Sequence, residues 1–304
     1  MELQGESGDP AMTDKPLFLM TDARHFGVTY QINPWMRPDA WKADPAALTA
    51  AAAKSASALR SELEKAGAQV EIVGAVEDLP DLVFPANAAI VLDGRALVAR
   101  FRHPERQGEE AVFRDAFLAL KARGLLNDVI ELPNKVLQEG AGDCIWDKDR
   151  GFFWAGYGQR STANSLPVIE SVFGQQVVGL ELATDRFYHL DTCFCPLAGG
   201  KVLYYPPAFT PQSQAIIRTH IRKKDRIEAT DEEAAAFCVN AVNIGTHIVM
   251  AKAPASLRAK LRALGYSLAE VDLSPFILSG GGAYCMTLRL DRKSETQAAM
   301  RAAE

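Results

Sequence analysis

The chain has 304 residues, 48% of them hydrophobic and 23% charged, with a net charge of −5. That length is enough to bury a large core, and the composition is that of an ordinary globular protein. Basic residues are scattered, with Lys223-Lys224 the nearest thing to a cluster, which excludes a nucleic-acid footprint; no apolar run reaches membrane-spanning length.

Residues 1–15 are polar and acidic, with Gly5, Gly8 and Pro10. They lack the basic and apolar regions of a signal peptide. A disordered tail is expected there, ahead of one domain over 16–304 residing in the cytoplasm. The five cysteines are Cys144, Cys193, Cys195, Cys238 and Cys285, and no CxxC pair occurs. Cys193-x-Cys195 is too close for a zinc clamp, and in a strand its thiols would point to opposite faces. No disulfide scaffold is expected in a cytoplasmic chain of this length, and no metal-ligand spacing stands out.

Leu17-Phe18-Leu19-Met20 reads as a buried first strand. In Tyr30-Gln31-Ile32-Asn33-Pro34-Trp35-Met36, Pro34 holds Asn33 out of the helical region. The alanine-rich stretch 45–66 has helical spacing at Leu48, Leu59 and Leu63, and Gly67 closes it. A strand over 70–73 follows. The stretch 81–92 has an apolar entry, a break at Pro85 and an apolar exit, with Asn87 at the break. Asp93-Gly94 then turns it into a second strand over 96–98. Residues 101–108 read as a loop carrying Arg102, His103 and Arg106, before a helix over 109–123. An arginine at a helix start can hold a substrate carboxylate.

After a strand over 129–132, Glu139-Gly140-Ala141-Gly142-Asp143 places two carboxylates on a glycine-broken turn. Residues 152–155 read as a hairpin strand beside 144–146. A helix ends near Phe173, and 177–180 is a further strand. Residues 187–195 alternate like a strand, which would put His189, Asp191 and Cys193 on one face; a histidine so placed also reads as a half-buried structural residue. A strand over 202–205, helices over 211–221 and after Asp231, a strand over 248–250, a helix over 254–264 and a strand over 267–273 complete the pattern.

Ser279-Gly280-Gly281-Gly282 then lets the backbone approach a ligand closely. Cys285 follows, where a loop enters an alternating strand over 286–290. A thiol there is either a buried core group or a nucleophile that needs a neighbour to take its proton. The glycine run lacks the lysine of a phosphate loop, and no dinucleotide fingerprint occurs. Repeated strand–helix units without a linker indicate an α/β protein. Glycine-and-turn breaks recur before strands at Asn87, Glu139, His189 and Cys285, as in repetition of one module. A cysteine, a histidine and carboxylates at such junctions are the parts of covalent catalysis at an electrophilic carbon, and a carboxylate-rich cleft suits a cationic substrate.

Together, Glu139-Gly140-Ala141-Gly142-Asp143, His189-Leu190-Asp191-Thr192 and the glycine run ending at Cys285 resemble the guanidine-modifying enzyme (pentein) superfamily. The resemblance extends over about 17–290. Tyr30-Gln31-Ile32-Asn33-Pro34-Trp35-Met36, Pro85-Ala86-Asn87-Ala88-Ala89 and Ser279 narrow it to bacterial arginine dihydrolases. It implies a five-module pseudosymmetric α/β propeller that needs no cofactor or metal. The implied substrate is a small molecule, arginine or a methylated arginine, with no nucleic-acid or membrane partner; self-association stays open. The resemblance further implies Cys285 as nucleophile, His189 as general acid/base and Glu139 as the group orienting His189 or the guanidinium. Asn33, Asn87, Asp191 and Ser279 would line the guanidinium end. Arg106 and Arg160 would grip the substrate α-carboxylate, with Asp143 in support. The alternatives are a dimethylarginine hydrolase, an arginine deiminase, an amidinotransferase and a non-catalytic binding protein on the same fold.

Overall fold

The computed structural model describes residues 15–294. The expected tail, apart from Lys15, lies outside the described residues. Within them, strands form five three-stranded sheets. β1 (Leu17–Thr21) runs parallel to β2 (Gln69–Val73), and the helix Pro45–Lys65 connects them. That helix forms as its sequence indicates: Asp44 caps it by accepting from Ala47 N, and Pro45 occupies its first position, where a missing N–H costs nothing.

The second sheet shows the repeating plan. β3 (Ala89–Leu92) and β4 (Arg95–Val98) form an antiparallel hairpin. Asp93 (φ 53°) and Gly94 (φ 73°) both take the left-handed conformation at its tip, as a two-residue hairpin turn requires. The helix Pro104–Ala122 then returns the chain to β5 (Asp128–Glu131), parallel to β4. The helix starts five residues before the expected position 109, because Pro104 suits a first turn. Arg106 therefore lies in the helix, not in a loop.

The same hairpin-plus-parallel-strand arrangement recurs in three further sheets. β6 (Cys144–Asp147), β7 (Phe152–Tyr157) and β8 (Val177–Glu181) form the third. β9 (Phe194–Leu197), β10 (Lys201–Tyr204) and β11 (Arg226–Glu228) form the fourth. β12 (Val242–Ile244), β13 (His247–Ala251) and β14 (Ser267–Val271) form the fifth. β15 (Leu288–Arg289) supplies the antiparallel partner that β1 needs. The first sheet is thus completed by residues from the far end of the chain, and the five-module α/β propeller closes.

Apolar side chains of neighbouring sheets meet in five core clusters. Cys193 packs in one beside Trp154 and Phe194, and Cys195 in the next beside Val239 and Ala241. The five cysteines are buried and free. Two expected strands are shorter than the alternation suggests. Leu190–Thr192 is a 3-10 turn, with the strand beginning only at Phe194. The last strand is confined to Leu288–Arg289, because Met286 N and Thr287 N are bonded back to Gly282 and Tyr284 in a turn. No helix among the described residues is long and apolar enough to cross a membrane.

Candidate active site

A tight turn precedes the first strand of each sheet, and hydrogen bonds link the five turns into a ring. Asn87 Nδ2 faces the Glu139 carbonyl at 3.5 Å. Asp143 Oδ1 accepts from Leu190 N at 3.0 Å. Asn240 Nδ2 donates to the Asp191 carbonyl at 3.1 Å, and its Oδ1 accepts from Cys285 N at 3.2 Å. Ala86 N donates to the Cys285 carbonyl and closes the ring. Short turns suit this task because their side chains project from one end of each sheet toward the common axis. The 3-10 turn also corrects the expected strand face: His189 and Asp191 reach the centre, while Cys193 faces the core.

His189 Nε2–H donates to Glu139 Oε2 at 2.7 Å. Asn87 Oδ1 accepts from Arg106 Nη1 at 2.8 Å, which turns the Asn87 amide nitrogen toward His189 Nδ1 at 3.4 Å. The network therefore assigns the proton to Nε2 and a lone pair to Nδ1. Burial by itself would raise the Glu139 carboxyl, but Arg160 and the His189 hydrogen bond outweigh it and hold Glu139 well below the carboxylate range. Arg160 Nη1 lies 3.1 Å from Glu139 Oε2.

Cys285 Sγ donates to Asp191 Oδ2 at 3.1 Å. Burial, and then the Asp191 charge, push the thiol well up. Asp191 is pushed up to about 7 by burial, against the hydrogen bonds from Cys285 and Asn240. Its other oxygen, Oδ1, is buried with no partner among the described residues. An unpaired buried acceptor is costly, and a guanidinium N–H is the kind of donor that would satisfy it. Asp143 ties two turns together, accepting from Ser161 Oγ at 2.6 Å and Leu190 N; burial raises it to about 6.

Not every expected role fits. Arg106 is 3% exposed. Its Nε and Nη2 each lie 2.8 Å from Glu109, Nη1 reaches Asn87, and Nη2 reaches the Asp81 carbonyl. Because helix starts at Pro104, Glu109 sits one turn on and claims the guanidinium. Arg106 thus fixes Asn87 and does not stand at the cleft mouth to take a carboxylate. Ser279 Oγ is turned onto Asp81 Oδ1 at 3.0 Å. Asn33 uses Nδ2 on the Ser279 carbonyl and Oδ1 on Trp35 N, while still lining the cleft. That cleft, of about 580 Å³, is bounded by Asn33, His103, Gln159, Arg160, Asp185 and Tyr188. Cys285, His189 and Glu139 do not line it and are each at most 2% exposed; Glu139 pairs with Arg160 of the lining, and the His189 ring lies against Tyr188.

The glycines serve protein groups rather than a ligand. A Cβ on Gly281 would lie 2.1 Å from Phe84, and one on Gly282 would lie 2.7 Å from Asn240 Oδ1. A Cβ on Gly142 would lie 2.2 Å from Asn87 Nδ2. Gly142→Ala is therefore expected to displace the Asn87 amide and lower kcat by about 10²-fold, measured with the melting temperature as a control; unchanged kcat would refute the close-approach argument.

Among the polar residues of the site that the sequence did not single out are Asp81 and Asn240. Asp81 accepts from Tyr30 OH and Ser279 Oγ, and nothing in its local sequence marks it. Asn240 precedes β12 as the other four junction residues precede their strands, so the module repeat itself was the signal.

A model of the family described as N,N dimethylarginine dimethylhydrolase, eukaryotic, matches residues 23–292. The bifunctional arginine dihydrolase/ornithine cyclodeaminase ArgZ of Synechocystis is 40% identical over 92% of this chain, which spans 38% of that protein's length. An N(G),N(G)-dimethylarginine dimethylaminohydrolase of Mycobacterium tuberculosis is 34% identical over 90% of this chain and 85% of its own. The crystal structure of the N-terminal domain of ArgZ, as a cysteine-to-serine mutant bound to substrate, superposes with a TM-score of 0.84 at 37% identity, covering 92% of this chain and all of that domain. The shared five-sheet ring and these matches agree, and the chain belongs to the N,N dimethylarginine dimethylhydrolase family of the guanidine-modifying superfamily.

Proposed function

We propose that this protein hydrolyses the guanidinium group of arginine twice, giving ornithine, carbon dioxide and two ammonia. The observation that carries this reading is the neutral Asn87 carboxamide, fixed by Arg106 Nη1 and aimed at His189 Nδ1. The likeness to the ArgZ domain, described as an arginine dihydrolase, supports it.

Arginine enters with its guanidinium toward Asp191 Oδ1, and Arg160 at the mouth attracts the α-carboxylate. The incoming positive charge lowers the pKa of both Asp191 and Cys285. Cys285 gives its proton to the His189 Nδ1 lone pair, and the resulting thiolate attacks the guanidinium carbon. His189, held by Glu139, protonates the departing nitrogen, and ammonia leaves a thiouronium on sulfur. His189 then takes a proton from water, whose oxygen adds to the carbon; the C–S bond breaks and citrulline forms. An amide both donates and accepts, so Asn87 retains the neutral ureido group for a second attack. A second ammonia leaves, a second water adds, and the resulting carbamate loses carbon dioxide. Two waters are consumed and the atoms balance.

Product analysis with arginine tests this directly. Ornithine with about two ammonia per arginine, and no turnover by Cys285→Ala, is the expected result. Citrulline with one ammonia would make the enzyme a deiminase. Inertness toward arginine with dimethylamine released from dimethylarginine would instead give it the activity named for the Mycobacterium relative. Turnover surviving Cys285→Ala would remove the nucleophile assignment.

A further inference from the structure

We infer that Asn240 is the positioning residue of the nucleophile, orienting Cys285 and favouring its thiolate. The inference rests on Cys285 as nucleophile but not on which guanidino compound is the substrate.

The Asn240 carboxamide is fully buried and uses all of its hydrogen-bonding capacity. Oδ1 accepts from Tyr284 N at 3.0 Å and from Cys285 N at 3.2 Å. Nδ2 donates to Cys285 Sγ at 3.1 Å and to the Asp191 carbonyl at 3.1 Å. An amide has two acceptor sites and two donor hydrogens, so none is left over. The orientation is also forced. A flipped amide would set its NH₂ against two backbone N–H groups and its oxygen against a carbonyl. The group facing sulfur is therefore an N–H donor.

A donor to sulfur favours the charged form. Two influences oppose ionisation of Cys285: burial and the Asp191 carboxyl, whose Oδ2 lies 3.1 Å from Sγ. The Cys285 charge in turn acts on Tyr188, whose hydroxyl burial and that charge push well up. Asn240, with the Gly282 backbone N–H, acts against both influences. Room for the contact is provided by Gly282, where any Cβ would press on Asn240 Oδ1 and on Phe237. Asn240 stands at the fifth junction of the ring, beside β12, and is that module's contribution to the centre.

The test is alkylation of Cys285 by iodoacetamide as a function of pH, with the modified cysteine located by mass spectrometry. It requires no substrate, so it reads the thiol even where the proposed reaction fails. Asn240→Asp replaces the donor to sulfur by an oxygen. The apparent pKa of alkylation is expected to rise by about one unit or more. On whichever guanidino substrate is turned over, kcat is expected to fall by about 10²–10³-fold with a much smaller change in KM. Asn240→Ala, which adds no charge, is expected to shift the profile in the same direction. A residue that merely held the loop would lower the melting temperature and leave the alkylation profile in place. Superimposable profiles in a folded variant would overturn the inference, and so would loss of the fold in both variants, which would assign Asn240 a structural role.

Discussion

Asn87→Asp is expected to release citrulline, with ornithine formation falling by at least about 10²-fold while arginine consumption continues. In the native site Asn87 Oδ1 accepts from Arg106, and Nδ2 faces the His189 Nδ1 lone pair and the Glu139 carbonyl. A carboxylate keeps the Arg106 contact, but its second oxygen meets two acceptors. Only a donor between them relieves that repulsion. Arginine brings one, because a guanidinium presents N–H groups and positive charge, so the first hydrolysis proceeds. Citrulline presents a neutral group whose carbonyl oxygen needs a donor, and the carboxylate offers none. The product leaves before a second attack. Quantifying ornithine, citrulline and ammonia in one time course checks this, and ornithine as the sole product of the variant would refute the role given to Asn87.

Asp191→Asn is expected to abolish turnover and to stabilise the empty protein at alkaline pH. Burial raises Asp191 from the usual 3.8 to about 7, so ionising it costs more in the folded chain than in the unfolded one. The sign follows from that order. Below about pH 4 both states carry the neutral acid and the folded form bears no penalty. From about pH 4 up to about 7 the unfolded chain ionises while the folded form keeps its proton, so stability is lost progressively across that window and no further above it. An asparagine removes this loss. At pH 8 the gain is on the order of 2–4 kcal/mol, or several degrees of melting temperature, and it shrinks toward zero by pH 4. Melting curves of both proteins at pH 4, 6 and 8 test this; a variant less stable at pH 8 would mean that the buried Asp191 charge is not a stored cost. Under the proposed reaction, the guanidinium of the substrate would supply the missing donor to Oδ1.

The ring was legible in the sequence because its modules repeat the same grammar. Asp93-Gly94 has the chemistry of a two-residue hairpin, and Pro45 with Gly67 brackets a helix. Cys285, His189 and Asn87 were legible because each interrupts an apolar run just before a strand. Arg106 was misread for a local reason. Pro104 starts the helix early, and partner choice then depends on which side chain lies one turn away, here Glu109. His189 and Asp191 were assigned a shared strand face because the alternation over 187–195 imitates a period of two, while the backbone turns in a 3-10 helix over Leu190–Thr192. Asp81 carries no local signal at all. Its partners Tyr30 and Ser279 lie 51 and 198 residues away in sequence, and only the closed ring brings them together.

The clasp between β15 and β1 sets an order of events during synthesis. Leu17 N and Asp291 Oδ1 are 274 residues apart in sequence, so this pairing is among the last of the ring to form as the chain grows. Until then β1 has a bare edge, and such edges invite association with other chains. Cys285 N and Sγ are held by Asn240, its carbonyl by Ala86, and the strand that anchors it begins three residues later. His189, Glu139, Asn87 and Asn240 are therefore translated well before the sulfur can be seated. An incomplete chain has its acid and base but no held nucleophile. Under the proposed reaction, chemistry on guanidino compounds would begin only when the ring has shut, coupling the quality of folding to the onset of activity.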